Sequence, residues 1–143
     1  MKRIKSFEEY LKIGIVKRIT ADIQRAESLI LESERKHTLL PTMIDKMGIG
    51  DNNANDYIEY CYNILIFLIR AKMLKQGFTS SGQTAHEAEI SFGKNIGLSE
   101  AELEFLDQLR YFRNGVLYYG KRIDKEYAQK ILSFTEKMYT RLK

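Results

Sequence analysis

The stretch Asp56-Tyr57-Ile58-Glu59-Tyr60-Cys61-Tyr62-Asn63-Ile64-Leu65-Ile66-Phe67-Leu68-Ile69-Arg70-Ala71 carries apolar residues on a broad helical face and, from Ile64 to Ile69, on every side. Tyr57, Cys61, Ile64, Leu65, Phe67, Leu68 and Ala71 fall at helical spacing, so a helix is expected from Asp56 to Gln76, closed by Gly77. A helix that is apolar all round lies in the middle of a bundle or at a subunit contact, because a two-layer arrangement leaves one side exposed. The apolar run also stays well short of the ~18 residues that a membrane span requires.

Helical periodicity extends outward from this segment over nearly the whole chain. Ser6 and Glu9 form a capping box ahead of Phe7, Tyr10 and Leu11, predicting a short first helix that Gly14 interrupts. From Val16 to about His37, Ile19, Ile23, Ala26, Leu29, Ile30 and Ser33 recur at steps of three and four, which predicts a long amphipathic helix. Pro41 follows and is expected to open a short segment from Thr42 to Met47, since proline suits a first helical turn. Residues 48–53 and 79–82 read as loops, and Ala85 to about Ile96 as a short helix. Ser99 and Glu102 form a second capping box, opening a helix with Phe105, Leu109, Phe112 and Val116 on one stripe. After Gly120, Asp124 caps a last helix on which Tyr127, Ile131, Phe134, Met138 and Leu142 repeat. The expected fold is all-α: an antiparallel bundle of four main helices with short extra helices, in one domain spanning 1–143.

The chain of 143 residues is 44% apolar, enough for a real core, and has a net charge of +4. That charge sits at the end: Lys121, Arg122, Lys125, Lys130, Lys137, Arg141 and Lys143 outnumber Asp124, Glu126 and Glu136, leaving residues 1–120 formally neutral. A basic last helix attracts phosphate, although a solvated lysine face is at least as good a reading. The N-terminus leads directly into an amphipathic pattern rather than a signal-peptide core, so a cytoplasmic, non-membrane protein is expected. The lone Cys61 lies among apolar residues and reads as a buried thiol.

The chemistry-bearing segment is Arg110-Tyr111-Phe112-Arg113-Asn114-Gly115-Val116-Leu117-Tyr118-Tyr119-Gly120. Arg110 and Arg113 lie one turn apart on the edge of the Phe105-Leu109-Phe112-Val116 stripe, so both guanidinium groups can flank one spot. Their planar forks suit a phosphodiester or a carboxylate, and Asn114 adds a neutral donor and acceptor. The competing reading is an intrahelical ion pair between Asp107 and Arg110, which consumes one guanidinium.

This segment resembles the signature of the HEPN-domain family, small helical dimers in which an Arg-Asn pair is followed four residues after the Asn by a histidine. The resemblance extends from residues 21–28 through Tyr57 to Gly77 and residues 85–88 to the last two helices. It implies a homodimer in which paired sites face each other across a two-fold axis, and metal-independent cleavage of RNA in active members. It assigns Arg113 to the scissile phosphate, Asn114 to its support, and Tyr118 to the place of the catalytic histidine. Arg110 and Tyr119 become ligand-binding candidates beside them. Some members are toxins controlled by a small nucleotidyltransferase partner that modifies a tyrosine near the motif, which makes Tyr118 and Tyr119 candidates for that role.

The replacement of histidine by Tyr118 is chemically large, since a phenol titrating near 10 is a poor general base at neutral pH, where imidazole exchanges protons freely. Weak or no cleavage is therefore expected, with binding of RNA or a nucleotide, or docking of a nucleotidyltransferase, as the principal role. A divergent metal-independent ribonuclease and a purely structural dimeric partner are the alternatives. His86, at the start of a short helix where it or Thr84 serves as cap, and His37, at the end of the long helix, both have structural explanations. Tyr57, Tyr60 and Tyr127 are read as apolar bodies with one satisfied hydroxyl each. The chain shows no phosphate-binding glycine loop, no metal-ligand spacing and no Ser-His-Asp arrangement, so neither a cofactor nor a metal is expected.

Overall fold

A computed structural model describes residues 4–119 and 122–143, with the side chains of residues 116–119 outside that set. The described chain is all-α apart from two three-residue strands. In order it runs α1 (Phe7–Lys12), β1 (Val16–Arg18), α2 (Ile23–Met47), α3 (Ala54–Lys75), β2 (Phe78–Ser80), α4 (Ala85–Asn95), α5 (Glu100–Tyr119) and α6 (Lys125–Leu142).

Helix α3 is the axis of the molecule, packing against α2, α4, α5 and α6. Ile64, Leu65, Ile66 and Ile69 are wholly buried and Leu68 nearly so. Apart from the half-buried Phe67, the run that is apolar on all sides is thus enclosed within one chain, and its buried residues need no subunit contact to cover them. Contacts fix the directions of several neighbours. Ser33 donates to the Ile64 carbonyl at 2.7 Å and Lys75 reaches Glu27, so α2 runs antiparallel to α3. Arg141 bonds Glu102 while Tyr127 donates to Gln108, so α6 runs antiparallel to α5.

Capping places several helix starts where the sequence puts them. The Ser6 hydroxyl accepts from the Glu9 amide at 3.2 Å, Ser99 from Glu102, and Asp124 from Tyr127. The Ser99 capping box closes reciprocally, with the Ser99 amide donating to Glu102 Oε1 at 2.9 Å.

Three expectations are overturned. Residues 16–18 form a strand rather than the start of the long helix, and residues 78–80 form its partner rather than loop. The two pair antiparallel, Val16 opposite Ser80 and Arg18 opposite Phe78. Beyond the ladder, the Ile19 amide donates to the Gly77 carbonyl at 2.8 Å and the Asp22 amide to that of Leu74 at 3.0 Å. These bonds satisfy a backbone that helix α2, capped by Asp22, does not reach. Third, α2 does not stop near His37: Pro41 lies inside it, and the helix continues to Met47 before Gly48 turns at φ +67°. Burial of Leu40 against the core holds the turn that carries the proline. The helix is continued by tertiary packing despite the missing donor.

Candidate functional site

Helices α3, α4 and α5 meet around Tyr62, which is fully buried. Burial, with Glu89 nearby, pushes its phenol well above the usual range, so it is a hydrogen-bonding group rather than an acid. Two of the site groups lean on this ring. Its hydroxyl lies 3.2 Å from His86 Nδ1, and the Arg113 guanidinium carbon lies 5.8 Å from its centroid.

The three arginines of the cluster are held differently. Arg70, on α3, engages Glu89 of α4 through two nitrogens, Nη2 at 3.1 Å from Oε1 and Nε on Oε2. Arg110 donates from Nε to Asp107 at 2.7 Å and lies 3.6 Å from Glu87 on α4, so the intrahelical pair does form and a second carboxylate joins it. Tyr10, on α1, donates to the same Glu87 at 3.4 Å. Arg113 has the loosest pairing: its nearest carboxylate, Glu59, is 3.8 Å away, and its buried Nε has no hydrogen-bond partner. Asn114, next to it on α5, is partly buried. The side chains of Tyr118 and Tyr119 lie outside the described residues, as does that of Val116 and the whole of Gly120.

His86 is not a helix cap, contrary to the sequence reading. Thr84 has φ −101° and ψ 16°, away from the extended conformation of a capping residue, and makes no side-chain cap bond. The imidazole instead turns inward to Tyr62 and lies 3.6 Å from Glu89. Desolvation depresses its pKa, with Arg70, Arg113 and Arg110 acting in the same direction and Glu89 against them. His37 also departs from expectation. It sits in mid-helix, bonds Glu136 at 3.0 Å and stacks on Tyr139 at 3.7 Å, tying α2 to α6.

Sequence reading named Arg110, Arg113 and Asn114 and read His86 as a cap; the structure brings Tyr62, Arg70, His86, Glu87 and Glu89 from other helices beside Arg110 and Arg113. The available signal was Arg70, a charge ending an otherwise apolar run, together with Glu89 on an apolar helix face; each needs a partner when buried. Other side chains behave as read. Tyr57 donates to the Gly48 carbonyl at 2.8 Å, Tyr60 to that of Lys36 at 2.7 Å, and Cys61 is buried with its pKa pushed up to about 11 by desolvation. The basic end of the chain is partly consumed internally: Arg141 bonds Glu102 and the Gly97 carbonyl, and Lys143 approaches Glu34 at 3.9 Å.

Among the described residues no group of His, Cys, Asp and Glu could hold a metal ion, and no helix is long and apolar enough to cross a membrane. No protein-family model, curated protein or solved structure matches the chain.

Proposed function

We propose that the chain is a HEPN-like binding module in which Arg113, supported by Asn114, takes a phosphate of RNA or of a nucleotide. The observation that carries this reading is the state of the Arg113 guanidinium, with an orphaned donor and its one carboxylate near the limit of an ion pair. Arg113, the least committed of the three arginines and 21% exposed, can take an incoming oxyanion through charge-assisted bonds from the accessible part of its guanidinium. Arg110 and Arg70 are already bound to carboxylates and serve to join α3, α4 and α5. In this reading the chain pairs with a second copy, and a separate nucleotidyltransferase docks near Tyr118 and Tyr119. Fluorescence anisotropy of a labelled oligoribonucleotide tests the phosphate role. Arg113→Ala weakens binding by about tenfold or more, the scale of one lost charge-assisted contact; unchanged binding rejects it. Light scattering tests the pairing, for which a monomeric mass at micromolar concentration is the contrary result.

One observation favours catalysis as a second reading: His86 shares the Tyr62 ring with Arg113, and desolvation lowers its pKa, which favours the neutral form that a general base requires. Under it, RNA is cleaved in the presence of EDTA, and cleavage is lost in both Arg113→Ala and His86→Gln. If cleavage appears only after Tyr118→His, the natural site binds without cutting.

A further inference from the structure

A polar recess opens beside His86, at the corner where β2 leads into α4. It has a volume of about 120 Å³ and is bounded by Arg25, Arg70, Thr79, Ser80, His86 and Glu89, among others. The strand pair builds this corner. Bonds from Ile19 to Gly77, from Asp22 to Leu74 and from Ser81 to Ile15 fix residues 15–22 along 74–81. Asp22 then caps α2, which sets Arg25 in its first turn over the recess.

The lining is rich in unspent donors. Arg70 uses Nε and Nη2 on Glu89, leaving Nη1 without a partner among the described residues. The Arg25 guanidinium and the hydroxyls of Thr79 and Ser80 likewise have no partner there. His86 has Nδ1 committed to Tyr62, which leaves Nε2 for the 40%-exposed side of its side chain. The one carboxylate, Glu89, is almost wholly buried, and both its oxygens are engaged by Arg70. The recess thus presents two guanidinium groups, two hydroxyls and an imidazole, with its only anion already compensated. It is far smaller than the ~300–1,000 Å³ typical of drug-sized ligand pockets.

We infer that this recess is a phosphate-dianion site, lined for that role by Arg25, Arg70, Thr79, Ser80 and His86, and distinct from the phosphate position at Arg113. The dianion is either inorganic phosphate or the terminal phosphomonoester of a nucleic acid strand. An arriving dianion favours imidazolium, so binding raises the titration midpoint of His86, with Glu89 and against desolvation, Arg70, Arg113 and Arg110.

The test follows the His86 ring signals by NMR while inorganic phosphate is added to the full chain. A saturable shift is expected, with a raised His86 midpoint. Arg25→Ala weakens phosphate by about tenfold, the scale of one charge-assisted contact. Arg25 is exposed, so its removal spares the core. No saturable shift, or equal affinity in Arg25→Ala, overturns the inference. Comparing an oligoribonucleotide bearing a 5′-phosphate with its 5′-hydroxyl counterpart separates the two sources. Tighter binding of the former, lost in Arg25→Ala, assigns the recess to strand ends; equal binding alongside saturable phosphate assigns it to free phosphate. Phosphate binding without RNA binding leaves this inference standing and removes the Arg113 reading, and the reverse result does the opposite.

Discussion

At the scale of residues, identical side chains divide by their partners. Arg70, Arg110 and Arg113 are one residue type on adjoining helices, yet Nε of each of the first two is bonded to a carboxylate and that of the third has no partner. Sequence could place Arg110 and Arg113 on one helix edge and offer Asp107 as an intrahelical competitor. It could not show that Glu87 and Glu89 arrive from α4, because that depends on how two helices cross. His86 supplies a test of its own. Desolvation lowers its pKa in the folded state, whereas in the unfolded chain it titrates near 6.5. As pH falls through that value the unfolded state binds the proton first, so stability is lost on acidification and the loss levels off below the depressed folded value. Urea unfolding between pH 7.5 and 5.5 should show this decline, with a smaller slope in His86→Gln; identical slopes would mean that the imidazole is not held as described.

At the scale of elements, local signals were legible and long-range ones were not. Capping boxes at Ser6 and Ser99 and the Asp124 cap mark helix starts directly, because both partners lie within four residues. The β1–β2 pair is not legible locally because its ladder joins residues sixty or more positions apart, and three-residue strands carry too little alternation to be read. Pro41 was read as a boundary because local propensity argues for one, and tertiary packing overrode it. The strand pair depends on Gly77, whose φ is +85° and where an added Cβ would lie 2.8 Å from the Ile19 carbonyl oxygen. The left-handed conformation alone costs a non-glycine residue about 1–2 kcal/mol. Gly77→Ala is therefore expected to destabilise the protein by about 2 kcal/mol in chemical denaturation, and to loosen the recess beside His86. A neutral outcome would mean that the corner is not held by this close approach.

At the scale of the whole molecule, the all-α class was legible from one segment, since a helix apolar on every side must be surrounded, and α3 is. The same enclosure removes that run as an argument for a subunit interface, so homodimerisation now rests on the resemblance alone. Charge also looks different in three dimensions. Cations of α6 are spent partly on Glu102 and Glu34, and the cluster around Tyr62 sets Glu59, Glu87, Glu89 and Asp107 against three arginines. A broad polyanion-binding face is not built this way, and one or two phosphate contacts are expected instead. The affinity for a single-stranded oligoribonucleotide should then fall with salt at about −0.7 in log–log slope per phosphate, giving no steeper than about −1.4. A slope near −3 would point to the α6 surface.

The most direct measurement is the Nε–H NMR spectrum of the arginines during titration with an oligoribonucleotide. The account predicts that the Arg113 signal moves and saturates with the bound fraction, while those of Arg70 and Arg110, fixed on their carboxylates, stay in place. An unmoved Arg113 signal, or a larger shift at Arg110, would contradict the assignment of Arg113 as the residue that takes the phosphate.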